Sequence, residues 1–112
     1  MIKLPLNKSE LQVMIRFAND ISLRLGAKRD IQMVCDYDLM QSILLKLSLK
    51  KIRAEMNASE PKKITLKTWE ALVLCRYRNI NDNYGYYEKT ITDEIMNFIC
   101  QKLADYSPTP SQ

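Results

Sequence analysis

Histidine is absent from this chain, glycine occurs only at Gly26 and Gly85, and the three cysteines are scattered. Each scarcity removes a class of chemistry. Without histidine the chain lacks the commonest general base and the commonest metal ligand. Two isolated glycines cannot build the G-x-x-x-x-G-K or G-x-G-x-x-G loops whose backbone N–H groups close on phosphate. Cys35, Cys75 and Cys100 make no C-x-x-C pair, so zinc has no ligand set. Their odd number suits reduced, buried thiols in a cytoplasmic protein.

Proline is equally sparse, and Pro5, Pro108 and Pro110 lie near the ends. The interior is thereby almost free of helix breakers, which favours an all-α fold. No apolar run approaches the ~20 residues of a membrane span. The stretch LMQSILL, residues 39–45, falls far short. The opening MIKLPLNKSE has neither the continuous apolar core nor the small-residue cleavage site of a signal peptide. No membrane partner is expected. The abundant Ile, Lys and Asn suit an AT-rich coding sequence, bacterial or carried on a mobile element.

What is present is helical periodicity. A chain of 112 residues, 46% apolar, has room for one domain and enough core to fold without disulfides or metal. We expect a single helical bundle over residues 1–105, of about four antiparallel helices, with a short extended N-terminal arm and a loose tail over 106–112. In the first helix, 8–25, Asn7 and Glu10 make a capping box and Leu6 staples onto Leu11. Leu11, Met14, Ile15, Ala18, Ile21 and Leu25 form its stripe, Arg16, Asp20 and Arg24 its outer ladder, and Gly26 a left-handed stop.

The second helix starts near residue 31, with Asp30, Asp36 and Asp38 competing as caps and an irregularity around Cys35–Asp38. It carries two apolar rows: Met40, Ile43, Leu44 and Leu47, then Leu45, Leu49, Ile52 and Met56. A helix apolar over so much of its circumference reads as the centre of the fold, touched on both flanks. Pro61 stops it. Thr65 caps the third helix, with Ile64 and Trp69 as staple and Leu66, Trp69, Leu72, Val73 and Tyr77 facing inward. The fourth lies between 86 and 105, with stripe Ile91, Ile95, Phe98, Ile99 and Leu103 and rival caps Thr90 and Thr92. Pro5 interrupts the brief alternation of Ile2, Leu4 and Leu6, and no strand of any length is predicted.

Catalysis is poorly supplied, and no cofactor, metal or small-molecule substrate is expected. Cys75 and Cys100 fall in apolar helical runs, where a thiol packs rather than reacts. The paired carboxylates Asp36 with Asp38, and Asp93 with Glu94, sit where helices start and are accounted for as caps. The stretch NINDNYGYYE fails as a calcium loop. Counting from Asn79, Tyr84 takes the obligatory glycine place and Thr90 the place of the bidentate acid.

Two constellations remain. The segment RYRNINDNYGYYEK, residues 76–89, gathers four of the six tyrosines. Tyrosine and arginine are favoured at interface hot spots, so Arg76, Tyr77, Arg78, Tyr84, Tyr86 and Tyr87 are the candidate partner-binding residues. One of Tyr86 and Tyr87 is expected to pack inward. Leu23, Leu45 and Leu49 look surplus to so small a core, and an exposed row of them would mark self-association or a larger helical partner. The other constellation is basic. Residues 46–78 carry nine Lys or Arg against three Glu, and Lys46, Lys50, Lys51 and Arg53 on one helix could track nucleic-acid phosphates. The plain alternatives are tyrosine rings covering the ends of a core and lysines on a solvated face. The reading is a non-enzymatic protein–protein interaction or assembly module, self-associating or not. A nucleic-acid-binding accessory protein is the alternative.

Overall fold

Helix α1, Lys8–Gly26, starts where its capping box directs. Asn7 Oδ1 accepts the Glu10 N–H at 2.8 Å, and Glu10 Oε1 accepts the Asn7 N–H at 2.9 Å. Two otherwise orphaned donors are thereby satisfied. The computed structural model describes residues 2–26, 31–56 and 63–106. Asp30, Pro61, Lys62 and the tail beyond Tyr106 lie outside them. The expected stripe of α1 is buried apart from half-buried Ile15, and Leu6 and Leu11 share the core as a staple requires. Phe17, fully buried, is the bulkiest of the wholly enclosed side chains. Gly26 ends α1 without the left-handed backbone expected of it.

Helix α2, Ile31–Met56, runs unbroken through Cys35–Asp38. Asp36 is therefore no cap: it is a buried carboxylate inside the helix. Gln41 Nε2 donates to Ser22 Oγ at 3.2 Å, while Tyr37 lies beside Gly26, so α2 returns antiparallel along α1. Of its two apolar rows the first holds the core, with Met40, Ile43 and Leu47 fully buried. The second row is exposed, contrary to the expectation of neighbours on both flanks.

A short antiparallel pair corrects the reading of a strandless chain. Strand β1, Ile2–Pro5, pairs with β2, Lys63–Leu66, in the register Ile2↔Leu66 and Leu4↔Ile64. Ile2, Leu4, Ile64 and Leu66 point into the core while their neighbours face water. Each strand spans four residues, too short to announce itself alone, and the pairing is long-range. Thr65 therefore lies in a strand, and the cap of the next helix is Lys67.

Helix α3, Thr68–Arg76, is rotated from the expected orientation. Glu70, Ala71, Val73 and Leu74 are buried, while Trp69 is 70% exposed and Leu72 lies beside it on the outer surface. A 3-10 turn over Arg78–Asn83 leads into helix α4, Tyr86–Tyr106. Thr90 and Thr92 lie inside α4 rather than capping it, and Tyr106 belongs to the helix rather than the tail. Asn81 holds the turn to α4, its Nδ2 donating to Thr92 Oγ1 at 2.6 Å and to Asp93 Oδ1 at 2.8 Å. The helices close a ring in which α2 packs on α1 and α3, and α4 on α3 and α1. The strand pair touches α2 through β2 and α4 through β1. The fold is a small helical bundle.

Replacing Asn7 by Ala should lower stability by about 1 kcal/mol, read as a fall in thermal midpoint of roughly 5 °C. Asn7→Asp, which keeps an acceptor in the same place, should keep most of that stability.

Candidate functional site

The Arg/Tyr corner is held largely by contacts within the chain. Arg76 Nη1 donates to both oxygens of Asp36 at 2.8 Å, and the Tyr77 hydroxyl donates to Asp36 Oδ2 at 2.6 Å. A carboxylate taken from water needs such donors. Burial and the bond to Asp36 push the Tyr77 hydroxyl above its ordinary pKa. Arg78 Nη2 donates to Asn97 Oδ1 at 2.8 Å. The Tyr84 hydroxyl donates to Asp20, and the Arg16 guanidinium lies over its ring at 4.3 Å. Burial, then the bond to Asp20, raises the Tyr84 pKa. Arg16 also pairs with Glu88, so this arginine joins α1 to α4.

Of the four corner tyrosines, Tyr86 and Tyr87 are the exposed ones, at 88% and 60%. Neither packs inward, because Gly85 leads into α4 with its first turn facing water. Tyr87 walls a shallow cleft with Ser9, Gln12, Val13 and Arg16.

The basic residues of α2 also divide. Lys46 Nζ is 2.6 Å from Glu70 Oε1 and donates to the Thr65 carbonyl at 3.2 Å. It thus ties α2 to β2. Glu70 is buried and accepts in addition the Ser42 hydroxyl at 2.7 Å and the Lys67 N–H at 2.8 Å. Burial alone would raise its pKa. The donors Lys46, Lys67 N–H and Ser42, with the charge of Lys46, outweigh it and leave the carboxyl below 4.5.

Lys50 and Arg53 have a different setting. With Lys46 and Leu49 they form one wall of a cleft of about 270 Å³, whose other wall is Lys63, Ile64 and Thr65 of β2. Among the described residues, no carboxylate lies within salt-bridge distance of Lys50, Arg53 or Lys63. Lys51 is not part of this cleft.

Beside the cleft runs the second apolar row of α2. Leu45 is 61% exposed, Leu49 43%, Ile52 51% and Met56 82%. Steps of four, three and four residues place these side chains in one line along the helix. Leu49 belongs both to the row and to the cleft, so an apolar seam and a cationic wall meet along one helix. In the sequence Leu45 and Leu49 look surplus to the core, but the denser cluster of tyrosines draws the site elsewhere. The missed signal was the count of partners: two apolar rows on α2 exceed what three other helices and a strand pair can cover.

Among the described residues no three Cys, Asp or Glu side chains gather to hold a metal ion, and no helix is long and apolar enough to cross a membrane. The cysteines differ from the expected buried thiols: Cys35 is exposed, and Cys75 and Cys100 are half-buried. No protein-family model, curated protein or solved structure matches the chain.

Glu70→Ala should cost roughly 3 kcal/mol, because it strands Lys46 and frees the start of α3. The depressed carboxyl pKa sets the sign of the acid response. The contribution of Glu70 is complete above its unfolded pKa of 4.5 and is lost as pH falls from there through the folded value. Urea midpoints measured across that window should fall more steeply for the natural chain than for Glu70→Gln.

Proposed function

We propose that this chain is a non-enzymatic, cytoplasmic interaction module that receives an acidic amphipathic helix of a partner protein along α2. The observation that carries the reading is the exposed line Leu45, Leu49, Ile52 and Met56 beside the cationic wall Lys50, Arg53 and Lys63. A helix with apolar side chains at matching steps buries them on the line, and acidic residues on one flank meet the wall. Charge favours such a partner over a second copy. An antiparallel copy of α2 would set the flank carrying Lys50 and Arg53 against the same flank of the copy, a like-charge contact. Tyr86 and Tyr87, exposed on α4, are a secondary contact in this reading.

The same cationic wall supports the alternative of nucleic-acid binding, with Lys50 and Arg53 on phosphates. It leaves the apolar line without a role, which is why we place it second.

Two helical peptides separate these readings, each with leucines at steps of four and three residues, one flanked by Glu and one by Lys. The Glu peptide should bind at least tenfold more tightly by fluorescence anisotropy, and its affinity should fall as salt rises. Leu49→Glu with Ile52→Glu should abolish binding without loss of thermal stability, since both side chains already face water. Failure of both peptides to bind overturns the proposal. So does a dimer by sedimentation that the double variant dissociates. Salt-sensitive oligonucleotide binding, lost in Lys50→Glu with Arg53→Glu but kept in the leucine variant, establishes the alternative.

A further inference from the structure

The fold brings together two cysteines that are far apart in sequence. Cys75 on α3 and Cys100 on α4 have their Sγ atoms 2.8 Å apart, and both are half-buried, within reach of a small molecule. Arg78 Nη1 lies 3.6 Å from Cys100 Sγ, and its other terminal nitrogen is fixed on Asn97. Cys35, on α2, is exposed and takes no part in this contact.

We propose that Cys75 and Cys100 are a reversible oxidation site that a hydroperoxide converts to a disulfide bridging α3 and α4. A disulfide has its sulfurs about 2.05 Å apart, so the bond forms by closing a gap of less than ~1 Å between helices already packed together. The cationic donor from Arg78 marks Cys100 as the sulfur that attacks first. Cys75 is the poorer attacker, its thiol pushed up to about 12 chiefly by burial and then by Cys100. In the first step Cys100 sulfur attacks the terminal peroxide oxygen. An S–O bond forms, the O–O bond breaks, and the leaving oxygen departs as water or an alcohol with the thiol proton. In the second, Cys75 sulfur attacks Cys100 sulfur. The S–S bond forms, the S–O bond breaks, and hydroxide leaves with the Cys75 proton as water. Two thiols are oxidised and one peroxide is reduced. A dithiol reductant reverses the bridge by thiol–disulfide exchange.

The bridge closes a loop that contains the whole 3-10 turn and most of α4. Constraining the unfolded chain in this way should raise the thermal midpoint by on the order of 10 °C.

The experiment uses the full chain with Cys35→Ser, which removes the exposed thiol that would otherwise link copies. After one equivalent of hydrogen peroxide, intact mass should show the loss of two hydrogens. Peptide mapping should place the crosslink at Cys75–Cys100, and the midpoint should rise and then return with dithiothreitol. Adding Cys75→Ser should leave a sulfenic acid on Cys100 that dimedone traps, whereas adding Cys100→Ser should leave Cys75 unlabelled. Two alkylatable thiols after peroxide, or oxidation to sulfinic acid without a crosslink, overturns the proposal. Dimedone labelling of Cys75 but not Cys100 overturns the assigned order of attack.

Discussion

The carboxylate of Glu70, shut away from water, is where three parts of the chain meet. Lys46 and Ser42 reach it from α2, the Lys67 N–H reaches it from the start of α3, and Lys46 also takes the Thr65 carbonyl of β2. A buried charge is tolerated only with this degree of hydrogen bonding, so the positions of all three elements are mutually dependent. Two rotations follow. With Glu70 inward, Trp69 and Leu72 must face out. With Ser42 and Lys46 turned toward Glu70, the line through Leu45 and Leu49 is carried to the open side of α2. Which face of α2 stays open to water is thus set by a salt bridge to a buried carboxylate.

The Asp36 cluster works similarly at the other end of α3. Arg76 and Tyr77 converge on one carboxylate of α2, while Tyr84 and Arg16 tie the 3-10 turn and α4 to α1. Residue types favoured at interfaces are favoured here for the same physical reasons. They join apolar area to a directional polar tip. Their partners happen to be in the same chain.

Local signals were legible in the sequence, and long-range ones were not. The capping box at Asn7, the α1 stripe and the α4 stripe each rest on residues within a turn or two of one another, and each is found in place. The strand pair rests on β1 meeting a segment near the middle of the chain, and nothing within either tetrapeptide reports the other. Asp36 and Thr92 look like caps in the sequence because polar residues near the start of an apolar run usually cap. Both instead lie inside helices: Arg76 and Tyr77 satisfy the Asp36 carboxylate, while the Thr92 hydroxyl bonds back to the Glu88 and Lys89 carbonyls and accepts from Asn81. Apolarity alone places Trp69 inside α3, but the buried Glu70 carboxylate with its three donors fixes the opposite rotation and leaves the indole 70% exposed.

The strand pair has a further consequence, in time rather than in space. A ribosome makes β1 first, and β2 follows only after both α1 and α2 have been synthesised. Through that interval Ile2 and Leu4 have no strand partner, and α1 and α2 can pair by their local contacts alone. Docking of β1 onto β2 is therefore a late step of folding on the ribosome. Lys46, which donates to the Thr65 carbonyl of β2, is already in place in α2 when that strand emerges.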